Sequence, residues 1–386
     1  MNRLTIILLF LFITITEAQI SINEQIIAPG VIHKKIINSI DTLSIDVLKI
    51  ELSQGNYLLK SIKAKNILNE KETTSDLVKA LTDSGYDVVA AINADFFEKD
   101  GEIINTMISE GKFVKAVKFT DSPYNSFVNS QFAVTYKNHL ALEQFVFTGN
   151  VIFSDGTIER INRINSKADS NSITLYNAFQ GEYTPKAPNN WIVSETALIP
   201  AGESGDTSFF VIVDSLKKGG NSKIPINGFV ISANSKYAYY LERELSIGDT
   251  IKLLLKLNPN IANVRSLVGG WPRLVKDGEC VIKSIPGSEG VMPRFSEFKH
   301  PRTGVGFSKD SNTVFFITVD GRQESSSGMS LAEFANLMID EGVFQGLNLD
   351  GGGSTTMVIK NKVVNKPSDQ TGERPVGNCL VLIKTE

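Results

Sequence analysis

The chain has 386 residues, with 39 basic against 42 acidic side chains, a net charge of −3, and 42% hydrophobic and 21% charged residues. That balance excludes a disordered tail and a coiled coil, and without a basic excess it argues against a nucleic-acid-binding surface. The length suits two domains or one large, elaborated domain. Two cysteines cannot build a disulfide scaffold, and three histidines leave little for a multi-histidine metal centre.

Arg3, the apolar run Leu4 to Ile15 and the small-residue site before Gln19 predict a secretory signal peptide over 1–18, cleaved near Ala18-Gln19. The run is about a dozen residues, short of the roughly 20 that span a bilayer. The expected localisation is therefore secreted or periplasmic, with no stable membrane insertion after cleavage. Residues 19–70 alternate apolar and polar, as in Ile45-Asp46-Val47-Leu48-Lys49-Ile50, the period of half-buried strands. Thr73 and Asp76 then bracket a capping box, and Leu77, Val78 and Leu81 predict a helix over Thr74 to Ser84. The apolar strand Asp87 to Ile92 follows and runs into Asn93-Ala94-Asp95-Phe96-Phe97.

Residues 130–264 carry short β-type runs separated by turns such as Asp155-Gly156, Asn227-Gly228 and Gly248-Asp249, with almost no helical periodicity. They read as a β-rich insertion; a continuous elaboration of one sheet system is the alternative. Cys280 and Cys379 are compatible with either a disulfide or two separate thiols. In the last third, Val314 to Val319 reads as a strand ending in Asp320-Gly321-Arg322. Ser330 and Glu333 form a capping box before the apolar stripe of a helix over Leu331 to Glu341. A strand at Leu347-Asn348-Leu349 stops at Asp350-Gly351-Gly352-Gly353-Ser354. A hairpin turning at Asn361-Lys362 and a closing strand Cys379 to Ile383 complete the chain.

Asp95, Asp320 and Asp350 share one pattern, an acidic residue at the exit of an apolar strand, where folds display functional groups. A single one is an ordinary turn aspartate; three, accompanied by Arg302, Arg322 and Arg374, point to a site. Gly351, Gly352 and Gly353 suggest a nest of backbone N–H groups for a phosphate or phosphodiester, with Ser354 adding a hydroxyl. No Gly-Lys-Ser/Thr follows, so it is not a Walker loop, and Gly304-Val305-Gly306 lacks the third glycine of a dinucleotide fingerprint.

Seven ordered blocks now carry a resemblance. They are Asn93 to Phe97, Val268-Gly269-Gly270-Trp271-Pro272-Arg273-Leu274, His300 to Gly306, Val319 to Gln323, Gly328 to Leu331, Asn348 to Thr356 and Gly372 to Val376. Together they resemble the phosphodiester glycosidase family over about residues 70–386. The resemblance implies hydrolysis of a sugar-1-phosphodiester at the glycosidic C1–O bond, on a substrate such as a GlcNAc-1-phosphodiester or a phosphorylated glycan. It implies roles as follows: Asp350, then Asp320, as the carboxylate that activates water or stabilises an oxocarbenium-like centre, with Asp95 and Arg302 also catalytic candidates. Arg302, Arg322, Arg374 and the glycines would hold the phosphodiester, and Asn93, Thr303 and Ser354 would position the sugar. Trp271 departs from the family motif, where this position is often small, and would narrow the sugar site or stack against it. No cofactor is required; clustered aspartates leave Ca²⁺ or Mg²⁺ open, without any metal-loop spacing. A non-catalytic surface module binding phosphorylated polysaccharide is the competing reading. The expected fold is α+β, with mixed or antiparallel sheets, a few packed helices and the β-rich insertion. Its glycosidase domain is assembled from 71–129 and 265–386.

Overall fold

The computed structural model describes residues 20–122, 127, 129–204, 207–212, 214, 216–282 and 290–385; the expected signal peptide lies outside them. Two antiparallel sheets pack face to face. The first runs, in hydrogen-bonded order, Ile20–Ala28, Val31–Asn38, Leu43–Glu51, Thr313–Val319, Arg302–Phe307, Gln345–Asn348, Arg273–Lys276 and Glu279–Cys280. The second runs Lys362–Val363, Met357–Ile359, Asp87–Asn93, Asn378–Lys384 and Tyr57–Lys63. Leu48, Val305, Phe316 and Leu347 of the first meet Ala90, Ile92, Leu380 and Leu382 of the second in one buried cluster.

Each sheet is covered on its outer face by a helix, which makes four layers. In Leu43–Glu51 successive side chains point to opposite faces, so Leu48 and Ile50 enter the inter-sheet core while Ile45 and Val47 pack against the helix Leu331–Asp340. This is why the strand is buried almost throughout, although its sequence alternates. The helix begins where expected: the Ser330 hydroxyl accepts from Glu333 N, and the Glu333 carboxylate accepts from Ser330 N. Phe334 fills its buried stripe, and truncating such a ring typically costs about 3–5 kcal/mol. The helix Thr74–Asp83, capped by Thr73, lays Leu77 and Val78 on the second sheet.

The middle of the chain forms a closed barrel. Its seven strands follow in the order Thr207–Ile212, Thr250–Asn258, Val146–Ile152, Ile158–Ile164, Ile173–Tyr176, Phe229–Asn234 and Val193–Ser204, and the last pairs back to the first. The strands Gln131–Thr135 and Leu140–Glu143 lie outside the barrel, joined to Val264–Gly269 in a separate five-stranded sheet. The molecule is thus mostly β. A helix that the turn-rich pattern did not suggest, Lys236–Glu244, packs on the barrel through Ala238 and Leu241. The hairpin turn near the end falls one residue earlier than expected: Ile359 pairs with Lys362, leaving Lys360 and Asn361 in the left-handed region. Cys280 is exposed and Cys379 buried, and both thiols are free. Among the described residues no helix is long and apolar enough to cross a membrane.

Candidate active site

The strands Asp87–Asn93 and Gln345–Asn348 belong to the two facing sheets, and their ends converge. Asp350 N donates to Ala94 O at 2.9 Å and Asn93 Nδ2 donates to Asp350 O at 2.6 Å. This brings Asp95 and Asp350, more than 250 positions apart, to one place. Asp95 is almost completely buried. Its Oδ1 accepts from Asn105 Nδ2 at 2.7 Å, whereas its Oδ2 is buried without a partner. Burial pushes the Asp95 carboxyl up to about 7 against the pull of Asn105 and the Phe96 N–H, and the charge of Asp350 adds to the rise. Asp350 keeps some exposed surface yet is packed by protein on most sides. Burial raises it to about 6, with Ser354 and Arg374 drawing it partway back.

Of the three glycine N–H groups expected to form a nest, that of Gly352 is already engaged. Gly352 N already donates to Pro301 O at 3.0 Å, and Ser354 N and Thr355 N close a tight turn onto Gly351 O and Gly352 O. What the missing side chains allow is the approach of two guanidinium groups. A Cβ on Gly352 would stand 3.2 Å from Arg322 Nη1, and one on Gly353 would stand 2.2 Å from Arg374 Nη2. Arg322 is exposed, and Arg374 is gripped by Asp369 through Nε at 2.8 Å and Nη2 at 3.0 Å. The two arginines therefore flank the loop that carries Asp350.

Several candidates are placed as braces. Asn93 Oδ1 accepts from Thr303 Oγ1 at 2.9 Å and Thr356 N at 3.1 Å, so both side chains are engaged in the interior. Arg302 is buried with three of its five N–H donors on the carbonyls of Met329, Phe295 and Phe298. Asp320 accepts from Ser44 Oγ at 2.8 Å, Lys366 N at 2.9 Å and Asn365 Nδ2 at 3.1 Å, with Lys35 Nζ at 4.0 Å. Burial still leaves its carboxyl above the ordinary range. The physical reason is common to all of them: a polar group with no exposed surface must find its partners inside the protein.

Two residues were missed as site candidates. Asn105 holds Asp95, and Asn129 Nδ2 holds Asn105 Oδ1 at 3.0 Å. Neither has a local sequence signal. His300, read only as part of a motif, lies with Nδ1 3.4 Å from Arg322 Nη2. A guanidinium only donates, so Nδ1 is the acceptor and the ring proton sits on Nε2. Burial and the charges of Arg302, Arg322 and Arg294 hold His300 below the usual imidazole range, hence neutral at pH 7. Phe96, next to Asp95 in the chain, lies edge-on to Trp271 at 6.5 Å, and Trp271 stacks on Phe295 at 5.2 Å. Six buried polar atoms without partners lie in or beside these segments: Asp95 Oδ2, Trp271 Nε1, Asn348 Oδ1 and the hydroxyls of Ser354, Thr355 and Thr356. Such a concentration of unsatisfied polar atoms is foreign to ordinary core. Among the described residues no group of three or more His, Cys, Asp or Glu side chains is arranged to hold a metal.

Residues 204–383 match the family model described as phosphodiester glycosidase. The chain is 32% identical over 110 residues to the N-acetylglucosamine-1-phosphodiester alpha-N-acetylglucosaminidase of Bos taurus, covering 27% of this chain and 20% of that protein. It is 39% identical over 84 residues to an uncharacterized SPbeta prophage-derived protein of Bacillus subtilis (strain 168), covering 22% of this chain and 13% of that one. These alignments span a fifth or less of the curated relatives' lengths. In fold, the chain is similar to a hypothetical protein from Synechocystis, with TM-score 0.72 and 16% identity over 92% of this chain and 62% of that one. Residues 204–383 of this chain are thus similar to the phosphodiester glycosidase family.

Proposed function

We propose that the chain is an exported hydrolase that cleaves the C1–O bond of a sugar-1-phosphodiester of the N-acetylglucosamine kind, releasing free sugar and a phosphomonoester. The observation that carries this reading is the pair Asp95 and Asp350, both raised, set among unpartnered polar atoms and flanked by Arg322 and Arg374. Asp350, the more exposed member, is the base that activates water or stabilises the oxocarbenium-like centre. At about 6 it is ionised at neutral pH yet still basic. Asp95 lies behind it and holds its proton more tightly than Asp350 does.

Arg322 and Arg374 hold the phosphate oxygens through their planar forks. The leaving group is already anionic, so it needs little proton donation. Trp271 on Phe295 offers a flat face for the sugar ring, and Arg302, Asn93, Thr303 and Asp320 brace the site from behind. The activity of the bovine relative supports the substrate class, and Arg3 with the apolar run after it supports export. The test is release of reducing sugar from UDP-GlcNAc or a GlcNAc phosphodiester by the purified parent and Asp350→Asn. Turnover by the parent and a loss of about a hundredfold or more in the variant are expected. Binding without turnover by the parent, or equal rates for the two, would sink the assignment.

A further inference from the structure

A cavity of about 650 Å³ opens at one end of the barrel and shares no residue with the carboxylate site. That is within the roughly 300–1,000 Å³ of small-molecule sites, and barrel mouths are among the places where such sites occur. Its floor is aromatic and aliphatic. Phe210 and Leu253 come from the buried barrel core, and Phe210 meets Phe229 edge-on at 5.4 Å. Phe113, edge-on to Phe147 at 5.4 Å, closes one side.

The lip is different in character. Ile226 stands 86% exposed there beside the amide of Asn227. Across from the barrel, Lys65 and Asn66 are consecutive non-glycine residues in the left-handed region, with φ of 48° and 55°. Strained turns of this kind gather where a surface is shaped for a ligand. The lip is balanced in charge: Lys65 is paired with Glu70 at 3.0 Å, and Lys112 shares the rim with Glu203. It therefore gives no net preference for an ionic head. Asn66 and Asn227 each present a donor and an acceptor, which suits hydroxyl groups.

We propose that the barrel mouth is a second binding site, for a neutral amphiphile whose alkyl or aryl part lies on the phenylalanine floor and whose hydroxyl-bearing head meets Asn66 and Asn227. This site stands independently of the hydrolase reading. The full chain is titrated with the apolar fluorophore N-phenyl-1-naphthylamine, then competed with octyl β-glucoside, octanoate and octyltrimethylammonium, all below micelle formation. Saturable binding is expected, displaced by the glucoside, with both ions weaker by about tenfold because an unpaired charge would have to leave water. Leu255→Trp, which fills the mouth, and Ile226→Trp, on the exposed lip where the core is not disturbed, should each weaken the fluorophore by about tenfold. Asn66→Ala with Asn227→Ala should weaken the glucoside and leave the fluorophore unchanged. Absence of saturable binding, binding undiminished in a folded Ile226→Trp, or octanoate competing as well as the glucoside would overturn the proposal.

Discussion

Replacing Ser354 by alanine removes a hydroxyl that favours ionised Asp350 while leaving the burial of that carboxyl in place. Asp350 stands near 6 because burial raises it and Ser354, Arg374 and the Gly351 N–H lower it. The buried Ser354 Oγ meets no partner at hydrogen-bonding geometry, which leaves its O–H available to the ionised Asp350 carboxylate. A hydrogen bond to a charged group contributes roughly 1.5–3 kcal/mol, so its loss should raise the Asp350 pKa by about one unit or more. With a one-unit rise, the ionised fraction at pH 6 falls from about one half to about one tenth, while at pH 8 it is above about nine tenths in both proteins. The kcat/KM of Ser354→Ala relative to the parent should then be about one fifth at pH 6 and approach parity above about pH 8. Steady-state sugar release measured from about pH 4.5 to 9 reads this ratio directly. A ratio that does not change with pH would refute the reasoning, because Ser354 would then act through packing, or the base would be another group.

Other consequences concern stability and substrate capture. The folded form holds the Asp95 proton more tightly, at about 7 against an ordinary 3.8, so ionisation destabilises the fold progressively from about pH 4 to pH 7 and by a constant amount above. Asp95→Asn should accordingly be near neutral at pH 4 and stabilising by up to about 4 kcal/mol at pH 8; equal shifts in melting temperature at the two pH values would contradict this. Gly353→Ala places a methyl 2.2 Å from both Arg374 Nη2 and Asp369 Oδ1, so the pair must part. KM should rise by about tenfold with a smaller change in kcat, and a parental KM would show that Arg374 does not touch the substrate. Ser330→Ala removes the helix cap and should cost about 1 kcal/mol in urea unfolding without altering KM.

Helices with caps were legible in the sequence because a cap is local chemistry. Thr73 with Asp76 and Ser330 with Glu333 lie three residues apart, and the helices they start, Thr74–Asp83 and Leu331–Asp340, end within a residue of expectation. The helix Lys236–Glu244 carries no such signal. Ser235 makes no capping hydrogen bond and sits at φ 54°, and only Ala238 and Leu241 are buried, so its tyrosines and charges read as turn-rich surface. Asp95, Asp320 and Asp350 looked alike in the sequence, each at the exit of an apolar strand beside glycine or an aromatic. Their environments separate them: Asp350 retains open surface, while Asp320 is surrounded by donors from Ser44, Asn365 and Lys366.

Local periodicity, turn glycines and caps are properties of a few neighbouring residues, and they suffice for the strand ends, both capped helices and the positions where side chains are displayed. The meeting of Asp95 with Asp350, the closure of the barrel between Val193–Ser204 and Thr207–Ile212, and the arginines lying against Gly352 and Gly353 were decided only by tertiary structure. A carboxyl's ionisation and a guanidinium's freedom depend on which distant groups exclude water from them and which donors they already meet. That information enters only when the two sheets close on each other and bring their strand ends together.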